Sequence, residues 1–201
     1  MSEGKPRRSP FRKVYDWVLH WAATPYAMRA AMLVALTSAW LLPVPPDILL
    51  IPLYLAKPEK TIRLGLLAAV LYTLGWIIGY WIGYYGHLWF GEQIVQGLGL
   101  GELLNKLHGY YDEYGAWAIL AGSATPLSDK VFSIGSGILN YHFGKFVGMV
   151  ALGGTIRIMA PAILIKLYGP PIVRFAEKYL EWVAFGMIAS GLIVYLLIKT
   201  L

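Results

Sequence analysis

Apolar residues run through residues 26–42, stop at Pro43-Val44-Pro45-Pro46-Asp47, and resume over residues 48–56. Each proline in that stop lacks an amide donor and carries a ring that clashes with the preceding turn, so the pattern predicts a helix broken in its middle. Residues 64–85 are apolar over a length that crosses a bilayer, which takes about 20 residues at helical rise, and they carry Gly75, Gly79 and Gly83 at four-residue steps. Between residues 86 and 113 the chain turns polar, with Glu92, Glu102, Asp112 and Glu113 against the single Lys106; two short amphipathic pieces are expected there. Apolar residues return over 115–124, are interrupted at Thr125-Pro126-Leu127-Ser128-Asp129-Lys130, and continue over 131–139. A span at 146–165 follows with Arg157 inside it, and after Gly169-Pro170-Pro171 a short amphipathic piece leads to a last span at 182–197. At the other end, Val14, Trp17, Val18 and Trp21 recur at helical spacing opposite Arg12, Lys13 and Asp16, the pattern of a helix lying on a membrane surface.

This order is nearly a tandem repeat of broken segment and span. If each broken segment is a re-entrant hairpin, an odd number of crossings separates the halves and they are inverted in the membrane, the recurring plan of secondary transporters. The expected fold is therefore an all-α polytopic membrane protein, an inverted repeat of two re-entrant helical hairpins packed with transmembrane helices. Its parts are a basic amphipathic segment at residues 1–25, a membrane domain at 26–181, and a C-terminal transmembrane helix at 182–201. The composition agrees: of 201 residues 58% are apolar and 14% charged, and the mean hydropathy is positive.

The net charge of +6 does not indicate nucleic acid, because the basic residues flank apolar segments and accompany no groove-reading motif. With both hairpins re-entrant, the cytoplasm receives Lys57, Lys60, Arg63, Lys166, Arg174, Lys178 and the basic N-terminus, while Lys106, Lys145 and Lys199 lie outside. That asymmetry obeys the positive-inside rule and sets the N-terminus in the cytoplasm of a multi-pass cell-membrane protein. Asp16 and His20 interrupt the apolar run that a cleaved signal peptide would need. The chain has no cysteine, so neither a disulfide framework nor thiol chemistry is available.

Asp47, Asp129, Lys130 and Arg157 fall within or at the tips of apolar segments. A charge at the bilayer centre costs roughly 2.5–3.5 kcal/mol on insertion scales, so these residues need one another, water or a ligand. They form either a salt-bridge network bracing the hairpins or a functional site. In the second case Arg157 offers a planar fork and Lys130 a compact charge for a phosphate, with Ser128 and Thr125 beside them as further substrate-binding groups. Asp47 and Asp129 would exchange a proton, since desolvation disfavours a charged carboxylate; Asp47 could equally be the N-cap of its half-helix. Pro43, Pro45, Pro46 and Pro126 define the hairpin tips, and Gly135 and Gly137 suit close backbone approach. The glycines at 75, 79 and 83 read as a packing stripe, and Trp76, Tyr80, Trp81, Tyr84 and Tyr85 as interface anchors. His108 and Asp112 share a helical face, but two ligands are a weak metal signal, so neither metal nor cofactor is expected. Ser136 lacks the surroundings of an activated nucleophile, and no enzymatic activity is expected.

Two motifs, Pro43-x-Pro-Pro-Asp47 and Thr125-Pro126-x-x-Asp129-Lys130-x-Phe132 followed by Gly135-x-Gly137, resemble the two signature hairpins of the DedA family, also called the VTT-domain or SNARE-associated Golgi protein family. The segment order resembles its shorter YqaA-type branch, and the resemblance covers about residues 29–180. It implies facing re-entrant helices and movement of a phosphate-bearing lipid, such as polyprenyl phosphate or a phospholipid, with protons as a suggested driver. By motif, Asp47 takes an acidic position of the first hairpin and Lys130 the basic position of the second. Many family members carry an arginine just before the second-hairpin proline, where Ser123, Ala124 and Thr125 stand here, and Arg157 would supply that cation. The alternatives are an energy-independent scramblase and a structural membrane protein. A homo-oligomer is compatible with all three.

Overall fold

The computed structural model describes residues 24, 26–42, 44–98, 101–125 and 129–169. The basic N-terminal helix and the C-terminal span anticipated above, and Pro43, Pro126 and Ser128, lie outside these residues. The described part is helical: α1 (Ala27–Thr37), α2 (Asp47–Ala56), a short 3-10 turn (Pro58–Lys60), α3 (Thr61–Leu98), α4 (Gly101–Ala124), α5 (Asp129–Ile138) and α6 (Phe143–Tyr168).

Both interruptions are present. α1 ends at Thr37, whose carbonyl accepts from the amides of Trp40, Leu41 and Leu42 as the chain tightens and leaves the helical path. α2 starts at Asp47 directly after Pro46, where a missing N–H costs nothing because the first amides of a helix are unpaired. At about 15–17 Å, neither α1 nor α2 spans a hydrocarbon core of about 30 Å. α4 and α5 flank the second interruption in the same order. The halves also share their internal spacing: Asp129 follows Asp47 by the same number of positions that separates the α6 start, Phe143, from the α3 start, Thr61.

The polar stretch 86–113 differs from expectation. It is no pair of separate short helices: α3 continues unbroken to Leu98 and α4 begins at Gly101. No proline interrupts this stretch, and glycines at 86 and 91 weaken a helix by only about 1 kcal/mol each without ending it. Two helices are long and apolar enough to cross a membrane, Pro58–Trp89 and Phe143–Tyr168.

α3 and α6 form the centre and run antiparallel. Gly65, near the start of α3, faces Met159 and Ala162 late in α6; Tyr72 faces Gly154; and Trp76 and Tyr80 stack near Phe146 at the α6 start. α1 packs on α3 and α4 on α6, while α2 crosses to α6 and α5 crosses to α3, so each half lends its short helix to the other half's span. The glycine stripe makes these approaches close. A Cβ at Gly75 would run into the Leu36 carbonyl of α1, one at Gly79 into Ser133 of α5, and one at Gly83 into the Ile134 carbonyl of α5. Gly137 meets the Tyr80 carbonyl in the same way, whereas Gly135 has open space with Tyr111 at 4.0 Å, so only one of the α5 pair serves close approach.

The aromatic group divides. Trp81 and Tyr85 are exposed as membrane-interface anchors would be, but Trp76 and Tyr80 are core residues at 0% and 3% exposure. They follow Gly75 and Gly79 by one position and so share the stripe's face, where Phe146 fills the space beside them.

Candidate functional site

Near the middle of α6 the Arg157 side chain is buried, and every one of its nitrogens is engaged. Nε and Nη2 donate to the same Asp47 oxygen, Oδ2, at 3.0 and 2.6 Å. Nη1 donates to Asp129 Oδ1 at 3.2 Å, to the Tyr72 hydroxyl at 3.1 Å and to the Thr125 carbonyl at 3.0 Å. The guanidinium also lies 5.6 Å from the Tyr72 ring centre. Both hairpins thus deliver the first residue of their second helix to one arginine, and the Asp47 side chain is spent on that ion pair and makes no N-cap bond.

One cation faces two carboxylates, leaving a carboxylate in excess. The two are not equivalent, since the Asp47 side chain keeps 24% of its surface and that of Asp129 only 9%. The opening of the cluster is therefore on the Asp47 side. Pro161 stands four residues beyond Arg157, so the Arg157 carbonyl lacks an amide donor from that position and the backbone is loosened beside the site.

Lys130 sits apart from this cluster. Its Nζ donates to the Leu41 carbonyl at 3.0 Å, in the first interruption, and the neighbouring Ala39 carbonyl accepts from Ser133 Oγ at 2.6 Å. Thr125 turns its hydroxyl back to the Ala121 carbonyl and contributes only its own carbonyl to Arg157. Pro45 and Pro46 shape the first tip, with Pro46 fully buried. Two participants were not singled out from the sequence. Tyr72, buried, links Arg157 to the Ser123 carbonyl through its hydroxyl at 3.3 Å, and Ser133 closes the first interruption. The one available signal for Tyr72 was its place on the line Gly65, Ala69, Tyr72, Trp76, the inward face of α3.

Short broken helices, two long apolar ones and a charged cluster at their meeting point define a helical membrane protein with a polar interior site. The chain belongs to the VTT-domain family, the DedA/SNARE-associated proteins, whose VTT domain matches residues 44–167. It is 26% identical to an uncharacterized protein of Haemophilus influenzae over 94% of this chain and 98% of the relative. An uncharacterized protein of Histophilus somni is 25% identical over the same shares. No solved structure matches.

Proposed function

We propose that the protein is a flippase-type transporter moving a phosphate-bearing lipid, such as polyprenyl phosphate or a phospholipid, across the cytoplasmic membrane, and that Arg157 is its phosphate-binding group. The carrying observation is that the Nε–Nη2 edge of Arg157, the edge suited to two parallel bonds to a phosphate, is held by Asp47, the more open carboxylate of the cluster. A proton reaching Asp47 neutralises it and weakens its hold on that edge, and the lipid phosphate takes its place. Loss of the proton restores the ion pair and expels the phosphate. Asp129 and Tyr72 keep Nη1 in place throughout.

The re-entrant, inverted arrangement belongs to the same reading. It is supported by the antiparallel α3 and α6, the equal spacing within the halves and the exchanged short helices. The Pro58–Lys60 turn contacts α6, which ends beside Lys166, so the cations expected on the cytoplasmic side gather at one end. On segment order we assign the chain to the YqaA-type branch, with no enzymatic activity of its own.

A scaffold reading has one observation in its favour: all the guanidinium nitrogens already have protein partners. Arg157→Lys separates the two. It keeps the charge and loses the fork, so vesicles containing the variant and a labelled phosphate lipid should show transport at a small fraction of wild type, with a normal yield of folded protein. Full transport by this variant leaves Arg157 as a brace. Imposing and collapsing a pH gradient in the same vesicles distinguishes a proton-driven transporter from an energy-independent scramblase.

A further inference from the structure

On the membrane-facing side of α1 and α3 lies an open groove of about 330 Å³. Met32, Leu33 and Leu36 of α1 and Leu67 and Leu71 of α3 line it, and Arg29 stands at one end as its sole charged lining residue. Two of these apolar side chains are well exposed, Leu33 at 60% and Leu67 at 47%. At the inner end, Leu36 packs its carbonyl on Gly75, and Leu71 immediately precedes Tyr72, the partner of Arg157. The groove therefore runs from a cation in the first turn of α1 toward the buried cluster.

We infer that this groove is a binding site for one phosphate-bearing lipid, with the phosphate on Arg29 and one hydrocarbon tail along α1 and α3. Charge complementarity selects the occupant. An apolar channel needs no arginine to hold hydrocarbon alone, and desolvating a guanidinium against a tail without an anion is costly. A guanidinium at the end of an apolar slot matches a molecule that is anionic at one end and apolar along its length. α1 is too short to cross the bilayer, so the groove occupies one leaflet, the depth at which a lipid headgroup and tail are found. The inference rests on the reading of the chain as a handler of phosphate lipids and makes the groove the waiting position from which a lipid approaches Arg157.

The test measures binding and not transport. The full chain is placed in phosphatidylcholine nanodiscs doped with phosphatidylglycerol bearing a diazirine in its tail or, in parallel, with diacylglycerol bearing the same tail. After illumination, adducts are mapped by mass spectrometry. The phosphatidylglycerol probe should label the Met32–Leu36 and Leu67–Leu71 peptides. Arg29→Gln should reduce that labelling about two- to fivefold, the scale of one exposed ion pair, and Leu33→Trp, which fills the slot, should abolish it. The diacylglycerol probe should label weakly and ignore Arg29. Equal labelling by both probes, or labelling indifferent to Arg29→Gln, reduces the groove to ordinary lipid contact and overturns the inference. Absence of labelling by either probe, the result if another stretch of the chain or a second copy covers the groove, overturns it too. Specific labelling alongside undiminished transport by Arg157→Lys would instead defeat the transport mechanism and leave the groove standing.

Discussion

The two chain interruptions have the same outline and different chemistry. At the first, between α1 and α2, the freed carbonyls of Ala39 and Leu41 are satisfied by Ser133 and Lys130, both on the other half's short helix. At the second, between α4 and α5, the carbonyls of Ser123 and Thr125 are satisfied by Tyr72 and Arg157, which sit on the two central spans. Away from water an unpaired backbone carbonyl costs several kcal/mol, so neither interruption persists without these donors. The difference lies in what else each donor does. Ser133 and Lys130 serve the backbone, whereas Arg157 holds the second interruption and both carboxylates at once. Whatever loosens Asp47 from Arg157 also loosens the second interruption, so the second hairpin is the one expected to respond to protons and substrate.

The largest expected effect comes from Arg157→Ala. It strips two carboxylates and the Thr125 carbonyl of their donor, and should destabilise the protein by about 3–5 kcal/mol in a thermal or detergent-challenge assay. A variant as stable as wild type would mean that the second interruption is held by something other than Arg157. Asp47→Asn keeps a hydrogen-bonding side chain and removes the excess charge. Its stability should stay within about 1 kcal/mol of wild type while transport loses its response to a pH gradient; equal loss of folding and transport would return Asp47 to a bracing role.

The hairpins also differ in how tightly they are seated, which a glycine pair can test. Gly137→Ala drives a methyl group into the Tyr80 carbonyl and should cost about 1–3 kcal/mol, whereas Gly135→Ala, facing open space, should be neutral or slightly stabilising through its helix propensity. Comparable effects of the two would show that α5 does not lie against α3 at that point.

Much of this arrangement was legible in the sequence because it follows from punctuation. Prolines at 43, 45, 46 and 126 end helices wherever they fall, and charges in apolar segments must meet, as Asp47, Asp129 and Arg157 do. The stripe at 75, 79 and 83 announced close packing by its spacing. Pairing was not legible. Sequence proximity set Lys130 beside Asp129, but successive helical residues point about 100° apart, and the lysine turns to the first interruption while the aspartate turns to Arg157. Tyr72 and Ser133 sit singly among apolar residues, and their task, supplying donors to carbonyls of distant segments, leaves no local pattern. Trp76 and Tyr80 looked like interface anchors because aromatic residues suit both a membrane surface and a core, and only the neighbouring glycines told which face they shared.

The smallest stability effect, and the sharpest probe of the contrast between the interruptions, is expected from Lys130→Gln. The amide keeps a donor that can reach toward the Leu41 carbonyl and removes the charge, so melting should shift by no more than about 0.5–1 kcal/mol. If Lys130 also lends its charge to the lipid phosphate at the hairpin tips, as its motif position implies, transport of a phosphate lipid falls several-fold in this stable variant, and the loss grows at low ionic strength where the missing charge would matter most. Transport equal to wild type at every salt concentration assigns Lys130 wholly to closing the first interruption. The anion site would then rest on Arg157 alone, and the two hairpins would be functionally as unlike as their hydrogen bonds: one a fixed support, the other the moving part.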